Sequence, residues 1–145
     1  MSSTVDVSGI DGVITIQDVR NAIKKAESVN ISKDYALIQT VCVKYIVNGI
    51  ATRRIPIGEK CSQLSIDVDL LCADRKLAYD LVGCVENAGL QVLDIFPEVY
   101  AVGKEAALFE RAVEKQIVVL KIERQSTVLG LFRKGRLTTA GGIAC

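Results

Sequence analysis

The sequence predicts a mixed fold, α+β with an α/β portion, in which a small strand-helix-strand-strand subdomain over residues 1–62 is joined to a second unit over residues 63–145. Three observations predict it. A helix start signal stands at Thr15-Ile16-Gln17-Asp18, an Asn48-Gly49 pair separates two β-rich runs, and a strand, a helix and a second strand pattern follow one another between residues 63 and 96. With 145 residues, of which 50% are hydrophobic and 24% charged, the chain has apolar mass for one core or two small joined ones.

Residues 4–7 alternate weakly and read as a short strand before a turn region around Gly9 and Gly12. Thr15-x-x-Asp18 has the form of a capping box. The Thr15 hydroxyl is placed to accept from the Asp18 amide, and a carboxylate is favoured at the positive end of a helix. Val19, Ala22, Ile23 and Ala26 then recur at helical spacing, with Arg20, Lys24 and Lys25 opposite, so residues 17–28 form an amphipathic helix. The β-branched run 35–47 is followed by Asn48-Gly49, two residues that tolerate positive φ, which predicts a hairpin returning through 50–57. Arg53, Arg54 and Pro56 put the return strand at a sheet edge, where charges and a missing amide do least harm.

Over residues 63–73 the alternation is nearly strict. Leu64, Ile66, Val68, Leu70 and Cys72 face one way and Ser65, Asp67 and Asp69 the other. Asp74 is an N-cap for a helix whose stripe is Leu77, Leu81, Cys84, Val85 and Ala88, closed by Gly89. Residues 90–96 read as the next strand, and strand, helix and strand without room for a hairpin predict a right-handed parallel crossover. After Pro97 a connector helix spans 100–113, and the tail is a meander of 117–122, 127–132 and 137–139 with a turn at Lys134-Gly135.

Composition narrows the chemistry. Lys plus Arg number 18 and Asp plus Glu 17, a net charge of +1, which gives no electrostatic reason to expect nucleic acid or an anionic membrane as partner. The absence of histidine removes the usual general base and the commonest metal ligand. Cys42, Cys61, Cys72, Cys84 and Cys145 form no Cys-x-x-Cys pair, so no metal site is expected, and the odd count reads as a reduced, cytoplasmic protein. No secretory pattern opens the chain and no apolar run is long enough to span a bilayer, so direct membrane insertion by this segment is not expected.

Two stretches resemble a known family. Val5-x-Val7-Ser8-Gly9, then Ile14-Thr15-x-x-Asp18-Val19 and Ala22-x-x-x-Ala26, is similar to the opening of the subdomain inserted in the bacterial cell-division FtsA family, within the actin-like ATPase superfamily. Val82, with Cys84-Val85-Glu86-Asn87-Ala88-Gly89-Leu90-x-Val92-x-Asp94-Ile95, resembles the crossover helix and strand closing that family's first actin-like half. The resemblance covers residues 4–139 as a middle slice of a longer protein. It implies that the unit over 63–145 is part of an actin-like, ribonuclease H-like core. It also implies a cytoplasmic adaptor, peripheral to the inner face of the cell membrane at the division septum, that serves the FtsZ ring. The runner-up implication is a PilM-like pilus-assembly adaptor, or part of an active actin-like ATPase.

At the place of the family's phosphate loop the frame persists and the residues depart. Where the family has Asp stands Lys121, where it has glycines stand Glu123, Arg124 and Gln125, and Ser126 and Thr127 follow. A phosphate cradle needs backbone amides that approach the anion closely, which Glu123 opposes by bulk and like charge. The segment is therefore expected to be non-enzymatic, with no catalytic residue and no cofactor of its own; ATP enters only if a full-length parent retains a nucleotide site. Its expected role is self-association and recruitment of FtsZ or other division proteins, through Arg53 and Arg54 on the edge and Arg20, Lys24 and Lys25 on the first helix. The competing reading of these five residues is a solvated edge and a wet helix face. Alternation alone accounts for Asp67 and Asp69, Cys84 reads as a packing residue, and Cys61 beside Lys60 is the thiol to watch for reactivity. The chain stops at Gly141-Gly142-Ile143-Ala144-Cys145 with strand edges uncovered, which predicts either a piece of a longer chain or a partner over those edges.

Overall fold

A computed structural model describes residues 1–109 and 116–144. The chain divides into two compact units, residues 1–95 and 96–145. The first holds β1 (Ser2–Asp6), a 3-10 turn (Ile10–Gly12), α1 (Ile16–Glu27), β2 (Tyr35–Val47), β3 (Ile50–Thr52), β4 (Gln63–Asp74) and α2 (Arg75–Asn87). Its sheet has the order β1-β4-β2-β3 with every neighbouring pair antiparallel.

Sequence periodicity explains why α1 lies on this sheet. Val19, Ala22 and Ala26 are one helical stripe, and they are buried with Leu64, Ile66 and Val68 from the inward face of β4 and Tyr45 and Val47 from β2. The small residues Ala22 and Ala26 let helix and strand approach closely. The Ser3 hydroxyl on β1 donates to the Ala22 carbonyl at 2.7 Å, giving a buried polar atom its partner. On the opposite face of the sheet, Ser65 and Asp67 meet Thr4, Ser2 and Lys44. The Asn48-Gly49 turn has φ of 50° and 80°, as a two-residue hairpin requires.

The structure departs from the sequence pattern at several places. β4 is not the first strand of a parallel crossover. It is twelve residues long, enough to pair antiparallel with β1 along one edge and with β2 along the other, so it completes the first sheet. A division at residue 62 therefore cuts through that sheet, and the first unit runs on to residue 95. Residues 90–96 form no strand and have no ladder partner among the described residues; Leu93 is 86% exposed. The strand after Asn48-Gly49 ends at Thr52, whose hydroxyl accepts the Arg54 amide at 3.1 Å and turns the chain out of the ladder. β3 lies at the sheet edge, as expected, whereas Pro56 falls beyond it and is buried. The segment after it pairs with the turn before α1, through Gly58 N–H to Ile14 O, Ile14 N–H to Glu59 O and Cys61 N–H to Gly12 O, each at 2.9 Å.

α2 starts where expected, with the Asp74 carboxylate accepting the Leu77 amide at 2.8 Å. Its stripe does not bury. Only Ala78 is buried, while Leu77, Leu81, Cys84 and Val85 are exposed, so Cys84 is not a core residue of this unit.

The second unit is α3 (Glu98–Phe109) against an antiparallel meander of β5 (Gln116–Ile122), β6 (Ser126–Arg133) and β7 (Arg136–Ala144). The expected end of the connector helix, 110–113, lies outside the described residues. Phe132 is completely buried under α3, its ring 6.5 Å from that of Tyr100. Gly103 makes this possible, since a Cβ there would fall 2.1 Å from the Phe132 ring. Lys104 donates to the Gly135 carbonyl at 2.9 Å and lies 5.3 Å from the Tyr100 ring centre, tying the helix to the β6–β7 turn. The other face of the meander leaves Val118, Leu120, Ile122, Leu129 and Ile143 exposed.

Candidate functional site

The turn joining β5 to β6 carries the candidate phosphate-loop residues. Register pairs Lys121 with Val128 and Ile122 with Thr127, so the connection is a short hairpin turn rather than an open loop. The Glu123 amide donates to the Ser126 carbonyl at 2.8 Å, and the Ser126 hydroxyl donates to the Glu123 carboxylate at 2.9 Å. The Lys121 ammonium is paired with Glu123 at 2.6 Å and with Glu98 in the first turn of α3. Lys121 hydrogen-bonded to it, and then Ser126, hold the Glu123 carboxyl below its ordinary range; Glu123 and then Glu98 push the lysine upward. Arg124 and Gln125 are exposed at the tip.

A nucleotide phosphate does not fit these residues. The Glu123 amide is spent inside the turn, the Lys121 ammonium on β5 already has two carboxylates, and those three groups together carry a net negative charge.

The five candidate contact residues fall into two separate places. Arg20 and Lys24 are exposed one turn apart on α1, which packs over β1 and β4. Lys25 is exposed as well, but its ammonium donates to the Thr4 carbonyl at 2.6 Å and ties α1 to β1, so its first role is structural. Arg53 and Arg54 lie in the bend after β3, at the far edge of the same sheet. Beside that bend the structure assembles residues that periodicity does not mark. Ile55 and Ile57 flank the buried Pro56, and the segment they open pairs with the turn flanked by Ile10 and Ile16; all four isoleucines are exposed, Ile10 by 88%. The only signal for them in the sequence is aliphatic residues placed among turn formers.

Asp67, one of the two carboxylates on the outer face of β4, is engaged structurally. It accepts from the Ser2 hydroxyl and pairs with Lys44 at 3.0 Å, and these two partners, in that order, hold its carboxyl below the ordinary range. Cys61 is the reverse of the expected reactive thiol. It is buried in the core, and burial pushes its thiol up, outweighing any effect of Lys60. A groove of about 300 Å³ runs between the start of β2, α2 and residues 92–95; its walls are mainly apolar, with Leu37, Ile38, Val82 and Leu93, and its carboxylate Asp94 accepts from the Gln39 amide. Among the described residues no group of three or more Cys, Asp or Glu is placed to hold a metal, and no helix is long and apolar enough to cross a membrane.

The strongest local cluster is Asp18. Its carboxylate is 1% exposed and accepts from both the amide and hydroxyl of Ser8 and both the amide and hydroxyl of Thr15, at 2.6–2.9 Å. It fastens the end of β1 to the start of α1. Residues 1–72, which contain this clamp, the α1-covered sheet and most of β4, match the family described as the SHS2 domain inserted in FtsA. Residues 1–72 belong to that inserted-domain family. Similarity to FtsA runs beyond the inserted domain: the chain is 25% identical over 138 residues, 95% of its length, to cell division protein FtsA of Bacillus subtilis (strain 168). It is 26% identical over 127 residues, 88% of its length, to that of Neisseria meningitidis serogroup B, and 24% identical over 142 residues, 98% of its length, to that of Rhizobium meliloti. It spans 30–31% of the length of these FtsA relatives. The α+β fold of the first unit is that of the inserted domain.

Proposed function

We propose that this chain is the protein-contacting part of an FtsA-like division protein, acting without catalysis by associating with copies of itself and recruiting division proteins to the FtsZ ring at the inner face of the membrane. The observation that carries this reading is the match of residues 1–72 to the inserted FtsA domain, combined with what that domain exposes. Ile55 and Ile57 are exposed just after Arg53 and Arg54 in the chain, and the segment they open pairs through its backbone with the turn flanked by the exposed Ile10 and Ile16. Exposed aliphatics held by backbone pairing lose little entropy on contact, and weak contacts of this kind add by avidity along an assembly. Arg20 and Lys24 provide a second, separate charged face.

Sedimentation velocity of the chain, alone and with FtsZ, tests the proposal. The expected result is concentration-dependent association or co-sedimentation that Ile55→Asp and Ile57→Asp abolish and Arg53→Glu with Arg54→Glu weakens. A strict monomer that ignores FtsZ at high concentration overturns it, as does association that these variants leave intact.

A further inference from the structure

We infer that the β5–β6 turn of this chain is a self-contained ionic clasp that replaces a nucleotide-phosphate site, so that α3 is held on the meander by the protein's own carboxylates and not by a bound anion. This deepens the non-catalytic part of the reading above, and its test is independent of partner binding.

Register puts Lys121 on the same face of β5 as Ile117 and Val119, the face toward α3, and its ammonium reaches Glu98 at the start of that helix. The same ammonium reaches Glu123, so one cation joins helix, strand and turn. Glu98 also suits the positive end of α3, where the first amides turn back on the Pro97 carbonyl: Tyr100 N–H at 3.0 Å and Ala101 N–H at 3.1 Å. A site for phosphate needs the opposite arrangement, with free amides converging on empty space and a cation left for the ligand. Here the Glu123 amide and the Ser126 hydroxyl are both spent inside the turn, and an arriving phosphate faces two carboxylates for one lysine. Arg124 is exposed at the tip of the turn.

Nuclear magnetic resonance of the 145-residue chain separates the alternatives. Titration with magnesium-ATP, and separately with inorganic phosphate, to millimolar concentration is expected to leave the amides of residues 123–127 unmoved. Hydrogen exchange at Tyr100 and Ala101 is expected to quicken about two- to fivefold in Glu98→Gln and in Lys121→Met, the range of an exposed ion pair, with no further gain in the double variant. Saturating shifts at residues 123–127 with either anion overturn the inference, and so does unchanged exchange at the start of α3 in both single variants. Both substitutions lie at the protein surface, and far-UV circular dichroism confirms that the variants remain folded. Loss of FtsZ association, or its survival, leaves this result untouched.

Discussion

Replacing Asp18 tests the physical account of the first unit most directly. Its carboxylate accepts four hydrogen bonds from Ser8 and Thr15, two of them from backbone amides, and it completes the capping box of α1. Asp18→Ala removes every acceptor. The lost half of the box is the acceptor of the Thr15 amide, and the Thr15 and Ser8 amides deprived of a charged acceptor cost about 1–2 kcal/mol each when water replaces part of the loss. The hydroxyls rotate toward solvent and add little, so the expected loss is about 2–4 kcal/mol, a large share of the stability of a small domain. Asp18→Asn keeps one acceptor oxygen and turns an NH2 toward donors, with an expected loss of about 2–3 kcal/mol. Urea denaturation followed by far-UV circular dichroism measures both. The fold holds this carboxyl well below its ordinary 3.8, through the Ser8 and then the Thr15 hydroxyl. Its contribution is therefore fully present above about pH 4 and is lost as the pH falls from there toward the folded-state value. Wild type is expected to lose stability below pH 4 more steeply than Asp18→Asn. A loss under about 1 kcal/mol for Asp18→Ala at pH 7, or equal acid slopes for wild type and Asp18→Asn, refutes the reasoning.

Other outcomes follow from single contacts. Gly103→Ala places a methyl 2.1 Å from a Phe132 ring that has no room to retreat, and is expected to cost the second unit about 1–3 kcal/mol in urea, with altered near-UV ellipticity. Gly49→Val forces a β-branched residue to φ of 80° and is expected to destabilise the first unit by about 1–2 kcal/mol, read as a lower thermal midpoint. Thiol labelling followed by peptide mass mapping is expected to modify Cys72 and Cys84 quickly and Cys61 roughly 100-fold more slowly, since Cys61 reacts only on opening of the core. Equal rates at Cys61 and Cys84 contradict the burial argument.

The candidate site was only partly legible in the sequence. Lys121, Glu123 and Ser126 stand next to one another in the chain, so the departure from a glycine-rich turn is visible from residue types alone. Glu98, the second carboxylate on Lys121, is 23 residues away and joins the cluster only because α3 folds over β5. Lys25 reads as a wet helical lysine until β1 brings the Thr4 carbonyl to it. Cys61 has a cationic neighbour in sequence, yet the neighbour matters less than the depth at which the turn before α1 buries it. Ile10 and Ile16 flank a turn that pairs through its backbone with the segment opened by Ile55 and Ile57, a relation without any period to announce it.

For the fold, residues whose partners are near in the chain settled their own structure. The Thr15-Asp18 box, the Asn48-Gly49 turn, the Asp74 cap and the alternation of Leu64, Ile66 and Val68 each draw on hydrogen bonds or steric limits within a few residues, and each is realised. Tertiary structure decided which strands became neighbours. The pattern of β4 states which face it buries, and is silent on whether its edges meet β1 and β2 or a strand at 90–96. Pairing with β1 and β2 lets α1 cover one continuous apolar face, so that arrangement stands, and residues 90–96 are left without a ladder partner among the described residues. A local pattern specifies faces, whereas strand order is a choice between long-range pairings that depends on the total apolar surface each one buries.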